Sequence, residues 1–267
     1  MQTPVSGASR ILGVVADPVS QARSPAMANA LLQQRGLFGS FVLLPMHVAA
    51  AGFPAFMAGL RTLQNFAGTI VSMPHKVVAC DLVDELTPEA RLVGAVNVVR
   101  RNADGSLLGT MLDGEGFVAG LARAGHMVQG VDVLLVGAGG AASAIAFALA
   151  KHGCASLCLL NRTPHRAQAL AQRVSQAFPQ VKVATQDHPA AHYRLGINGT
   201  SLGMKAGDEL PLSASQVGRC DLLAECVLAP EMTQLLTLAP GQGKTIHTGI
   251  PTLAAQMDLM LSFMGAG

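Results

Sequence analysis

Charge is sparse in this 267-residue sequence. Only 13% of residues are charged, the net charge is +2, and no basic run exceeds Arg100-Arg101. That excludes a nucleic-acid surface, which needs clustered cations. Metal-ligand spacing is missing too. The five cysteines (Cys80, Cys154, Cys158, Cys220, Cys226) are odd in number and form no metal-ligand pairs, and the eight histidines contain no HExxH. They are read as reduced cytosolic thiols, with no metal expected and a cytoplasmic location. Long apolar runs are absent. AASAIAFALA, from Ala141, is the most apolar helical stretch, far short of the ~20 residues of a membrane span. MQTPVSGASR lacks the apolar core of a signal peptide. Tryptophan is absent and tyrosine occurs once.

Half of the sequence is hydrophobic, which suits folded cores and argues against disorder. Ser9–Val15 is an apolar run. Pro25 marks a helix start, and AMANALLQQRG runs to a C-capping Gly36. FVLLPMHV reads as a strand, FPAFMAGLRTLQ as a helix and AGTIVSMP as a strand. This alternation predicts a mainly parallel sheet with right-handed crossovers. A helix is expected over Val77–Leu86. Two extended runs flanking Asn102–Gly105 predict a hairpin, and GEGFVAGLARAG a helix. A second series opens with strand VDVLLVG, a helix over Gly140–His152, and strand SLCLLNRT. Strands RLGINGT and CDLLAECVL follow. A last helix, from near Pro251, carries Leu253, Met257, Met260 and Met264 at helical spacing, as core packing.

Within the second series, Gly137, Ala138, Gly139, Gly140 and Ala141 join a strand to a long helix. Small residues let a pyrophosphate reach the helix N-terminus, where free N–H groups and the dipole favour an anion. Ala142 takes the place of the third glycine, where only close helix packing is needed. The next strand ends in Asn161, Arg162 and Thr163, with Arg166 one turn on. No carboxylate is there to accept from ribose hydroxyls, and two guanidiniums are available for a 2′-phosphate. NADP is therefore expected, with NAD as the alternative. A tyrosine–lysine proton donor is excluded, because the residue four after Tyr193 is Ile197.

ADPVSQARSPAMAN, VSMPHK, VGAVNVV, MLDGEGF, VGAGGAA, NRTPHR, INGTSLGM and GIPTLAAQ occur in this order. Together they resemble the shikimate dehydrogenase family over nearly the whole chain. The resemblance implies an α/β protein of two domains. A substrate domain over 1–111 is joined by 248–267, as the C-terminal helix returns to it, and a Rossmann-type NADP domain spans 112–247. It implies Lys76 and Asp113 as the catalytic pair: an ammonium passes a proton as hydride moves, and the carboxylate orients it. It also implies Ser24, Ser72, Asn97 and Gln256 as substrate ligands and adds Gly249 to the cofactor loop. The implied partner is a small ring hydroxy-acid, with no nucleic acid and no membrane; a homodimer is allowed.

The departures lie on the substrate side. Ala22 stands at the first serine of Ser-x-Ser, Ile70 at a substrate-binding Asn, Leu112 at the Thr before Asp113, and Leu228 at a Tyr position. Losing one charged and one neutral hydrogen bond costs about 2.5–4 kcal/mol, or roughly 10²–10³-fold in binding. Either Gln21, Arg23 or Met111 compensates, or the substrate is less polar near the reacting ring. The expectation is an NADP-linked dehydrogenase for shikimate or a close cyclic hydroxy-acid. The alternatives are a paralogue for quinate, an aminated relative or another ring alcohol, and a nucleotide-binding regulator without catalysis.

Overall fold

The computed structural model describes residues 5–267, so the first four residues of the stretch read for a signal peptide lie outside it. The chain forms two compact units. One runs to Leu112 and includes Met257–Gly267; the other is Asp113–Gln256. The boundaries read from the sequence were 111/112 and 247/248.

The first unit holds strands β1 (Arg10–Ala16), β2 (Phe41–His47), β3 (Phe66–Val71), β4 (Glu85–Leu86), β5 (Val98–Arg101) and β6 (Leu107–Thr110). They form one sheet in the order β2-β1-β3-β5-β6-β4. Helices α1 (Ser24–Gln34) and α2 (Phe53–Thr62) connect the three parallel strands β1, β2 and β3, and α3 (Pro88–Val93) precedes β5. The β5–β6 hairpin is antiparallel, and its turn uses Gly105 at φ +90°, a left-handed position suited to glycine. β2 lies at the sheet edge. There Asn29 satisfies both the N–H and the C=O of Leu43 at 2.9 Å, and Pro45 has no N–H to offer, so the edge resists further pairing. The core joins Leu12, Val14, Leu32, Leu43 and Ile70 to Met257, Met260 and Met264, which confirms the methionine stripe as packing. Gly68 permits this approach, because a Cβ there would lie 2.6 Å from Met264 Cγ.

The helix expected over Val77–Leu86 does not form. A 3₁₀ turn spans Val78–Asp81, and Glu85–Leu86 is a strand parallel to β6. Backbone bonds from Asp84 N–H to Leu107 O and from Thr87 N–H to Gly109 O draw the segment out along β6. Thr87 then N-caps α3, with Pro88 in its first turn, so the helix begins there instead.

The second unit holds α4 (Asp113–Arg123), β7 (Asp132–Val136), α5 (Gly140–Lys151), β8 (Ser156–Leu160), α6 (Pro164–Ala177), β9 (Lys182–Ala184), β10 (Tyr193–Asn198), α7 (Ala214–Gly218), β11 (Cys220–Glu225), α8 (Gln234–Leu238), β12 (Thr245–His247) and the start of α9 (Gly249–Phe263). All six strands are parallel, in the order β12-β11-β10-β7-β8-β9. This is the doubly wound Rossmann order, with its switch point between β7 and β10. β9, β12, α7 and α8 went unread in the sequence because three to five residues carry too little periodicity. Among the described residues no helix is long and apolar enough to cross a membrane, and no group of His, Cys, Asp and Glu could hold a metal. All five cysteines are free.

Candidate active site

The glycine loop lies at the carboxyl end of β7, beside the switch point. Gly137 has φ +124°, and a Cβ on it would lie 2.9 Å from the Gly199 carbonyl oxygen, so only glycine fits where the loops after β7 and β10 meet. Gly139 and Gly140 face open space. Gly139 caps α5 with no side-chain hydrogen bond, and the first turn holds no acid. The exposed N–H groups of a 12-residue helix therefore suit a pyrophosphate. Asn161 bonds the Thr163 carbonyl at 3.0 Å and shapes the turn after β8. Arg162 and Arg166 are exposed beside it, and among the described residues neither guanidinium makes an ion pair. A 2′-phosphate-bearing dinucleotide fits this donor set. Gly249 is closely packed as well, since a Cβ there would lie 2.4 Å from Val227 O and 3.1 Å from Leu228 Cδ2.

Asp113 opens α4 in the same unit. Its carboxylate accepts from Gln256 Nε2, a side chain near the middle of α9. Gly116 makes that approach possible, because a Cβ there would sit 2.6 Å from Gln256 Cβ. Gly114 likewise lets α4 lie against the Ala144 backbone of α5. The Cys226 thiol is pushed up to about 12 by burial, with Asp113 and Glu225 adding to the shift. It therefore stays protonated beside that carboxylate.

Two features of this unit escaped sequence reasoning. Glu225, fully buried at the end of β11, accepts from Asn198 Nδ2 at 2.9 Å and Thr233 Oγ1 at 2.7 Å. Asn198 Oδ1 in turn accepts from Thr200 N–H and Oγ1, so the network shapes the INGTSLGM loop. Burial pushes the Glu225 carboxyl up from the usual range. A lone Glu inside the apolar run CDLLAECVL was the available signal. The second feature is the buried His247. Its ring stands edge-on to Phe117 and His126, and burial, then repulsion from His126, holds its pKa down.

In the first unit the expected residues gather where β1 and β3 end. Ser72 N–H bonds Val15 O (2.9 Å) and Asp17 N–H bonds Met73 O (3.0 Å). Val96 N–H bonds Lys76 O (2.8 Å) and Val71 N–H bonds Asn97 O (2.8 Å). These bonds stitch the Ser72–Lys76 turn to the segment carrying Asn97. Asn97 is fully buried, and its Oδ1 accepts from Leu112 N–H at 2.8 Å, so it fixes the chain just ahead of Asp113. Ser24 begins α1 ahead of Pro25, and Ala22 lies in the turn before it, its N–H bonded to Val19 O. Ile70 is buried in the core cluster, and Leu112 packs against that same cluster. Both departures thus add to one apolar surface. Lys76 belongs to this unit and Asp113 to the other.

Residues 14–99 match the family model for the shikimate dehydrogenase substrate binding domain, and residues 121–192 match that for shikimate / quinate 5-dehydrogenase. The chain is also 36% identical over 239 residues to a shikimate dehydrogenase (NADP(+)) of Lysinibacillus sphaericus, covering 89% of this chain and 85% of that protein.

The chain belongs to the shikimate dehydrogenase family.

Its fold agrees with solved members. Shikimate 5-dehydrogenase of Listeria monocytogenes, in complex with shikimate and NAD, superposes with a TM-score of 0.88 at 29% identity, covering 98% of this chain and 94% of that one. A 5-ketofructose reductase of Gluconobacter sp. strain CHM43 superposes with a TM-score of 0.87 at 27% identity, covering 97% and 94%. Chains of this architecture thus include proteins named for different substrates.

Proposed function

We propose that this protein is an NADP-dependent dehydrogenase that interconverts a ring alcohol and its ketone, on shikimate or a close cyclic hydroxy-acid. The observation that carries the proposal is the intact glycine edge of the second unit, in a chain whose first unit keeps VSMPHK at the carboxyl end of β3. The nucleotide is held by Gly137, Ala138, Gly139, Gly140 and Ala141 at its pyrophosphate, with Gly249 at the far side of the loop. Asn161, Arg162, Thr163 and Arg166 take its 2′-phosphate. NADP, when bound, supplies or accepts the hydride. Lys76 holds the proton at Nζ and passes it to the carbonyl oxygen during reduction, or takes it from the hydroxyl during oxidation. Asp113 orients that ammonium and balances its charge, and Gln256 steers the carboxylate by its hydrogen bond. Ser24, Ser72, Asn97 and Gln256 hold the substrate.

A second reading concerns the substrate. Ile70 and Leu112 pack on one apolar cluster, which favours a substrate less polar on that side, another ring alcohol being the candidate; quinate, with one hydroxyl more than shikimate, and an aminated relative are the alternatives. We also propose a reducing, cytoplasmic setting, which suits five unpaired thiols. Sedimentation of the purified chain would tell a monomer from the homodimer its sequence allows.

The test is turnover with NADP and with NAD against shikimate, quinate and other ring alcohols. Turnover of shikimate supports the first reading, and turnover of the others alone supports the second. Cofactor binding with no turnover on any substrate overturns both. Lys76→Ala should abolish turnover and leave NADP affinity nearly unchanged; substantial residual turnover would falsify its role as proton carrier.

A further inference from the structure

We infer that His75 is a positioning residue that sets where the Lys76 ammonium can reach. The inference rests on the proposed role of Lys76. From Ser72 to Val78 the turn is poorly buried: Met73 is 75% exposed, Val77 66% and Val78 47%, and Pro74 is exposed as well. His75 is the one buried side chain of that stretch, at 2% exposure. Its ring lies flat on Phe53, with centroids 4.2 Å apart and planes 14° apart, and Phe53 is itself fully buried at the start of α2. Its Nε2 lies 2.8 Å from the Val48 carbonyl oxygen. A carbonyl can only accept, so Nε2 carries the proton and donates. Val48 follows β2, so a single side chain fastens the turn to the β2–α2 connection.

The backbone completes the clamp. His75 N–H donates to Ser72 O at 3.0 Å, and Ala79 N–H donates to His75 O at 2.9 Å. The next carbonyl, that of Lys76, is held by Val96 N–H. The lysine therefore hangs from a fixed Cα, although its neighbours on the turn are solvated. A lysine stem is long and flexible, so a drifting Cα spreads the ammonium over many positions. Misplacing a reacting group by about 1 Å costs about 10²-fold in rate.

The test compares His75→Ala, His75→Phe, Lys76→Ala and the His75→Phe/Lys76→Ala pair in the full chain. NADP and shikimate are the substrates, or quinate if the panel selects it. His75→Ala should lower kcat about 10–100-fold, with KM and the NADP Kd within about three-fold of wild type. His75→Phe keeps the ring contact but cannot donate to Val48, and should fall between the two. In the paired variant, assayed at high enzyme concentration for the trace rate that Lys76→Ala leaves, the histidine change should cost nothing beyond Lys76→Ala alone, because residues that act as a unit are non-additive. A merely structural histidine would cost as much in that background as in wild type, and that result would overturn the inference. So would a loss confined to KM or to NADP binding. If His75→Ala does not fold, His75→Phe decides, and wild-type kcat there overturns the inference. A Lys76→Ala protein that keeps substantial turnover overturns the lysine assignment instead, so the two failures are distinct.

Discussion

In the Asp113–Gln256 unit the binding edge is made of backbone. Gly137 meets Gly199, Gly139 and Gly140 leave a helix N-terminus bare, and Gly249 lies against Val227. In the other unit the proposed substrate residues Ser24, Ser72, Lys76 and Asn97 act through side chains, and the turn that carries Ser72 and Lys76 has His75 as its one buried side chain. A backbone site tolerates little change where a Cβ would intrude, as at Gly137 and Gly249, and its motif is intact. A side-chain site can be rewritten one residue at a time, and the departures Ala22, Ile70 and Leu112 all belong to that unit. On the proposed reading, cofactor binding and substrate choice thus rest on different materials and can be changed separately.

The largest effect that would break this comparison is a side chain in the glycine edge. Gly137→Val forces a β-branched residue into φ +124° and against the Gly199 carbonyl. NADP affinity should fall about 10²-fold or more by isothermal titration. Wild-type affinity would show that the edge is not backbone-limited. Next comes Arg162→Ala combined with Arg166→Ala. The pair of replacements removes at least one charge-assisted bond, which contributes about 1.5–3 kcal/mol, so the preference for NADP over NAD should drop at least roughly 10–100-fold in kcat/KM. An unchanged ratio would remove both arginines from phosphate recognition.

Gly116→Ala probes a glycine that serves a side chain. Its Cβ would meet Gln256 and push that amide off Asp113. We expect kcat to fall about ten-fold with NADP affinity held, and a loss of NADP affinity instead would assign Gly116 to the cofactor. The smallest effect is a pH dependence of stability. His247 is buried and its folded pKa lies below the unfolded value of 6.5. The unfolded chain therefore binds the proton more readily, and the His247 contribution is present above pH 6.5 and lost as pH falls through it. Thermal melts should show Tm falling from pH 7.5 to pH 5.5, and His247→Phe should flatten that slope. An unaltered slope would shift the cause to other groups.

Much of this was legible because the signal was local. The strand–glycine–helix run around Gly137, the arginines after β8 and the methionine stripe of α9 each write their role into adjacent residues or helical spacing. Val77–Leu86 misled because its apolar residues suit a helix, while its backbone is drawn off by Leu107 and Gly109, more than twenty residues on. His75, Gly116 and Glu225 were illegible for a related reason. Each works through a partner distant in sequence: Phe53 and Val48, Gln256, and Asn198.

By itself, the sequence determined the α/β class, the glycine loop between strand and helix, the two guanidiniums after β8 and the residues that could carry proton and hydride chemistry. These follow from residue type and short spacing, which fix backbone conformation and available donors. Only the tertiary structure decided that the Lys76 turn hangs from His75, that Gln256 reaches Asp113 across Gly116, and that Ile70 and Leu112 share one apolar surface. Those are contacts between segments far apart in the chain, and packing, not local propensity, brings them together.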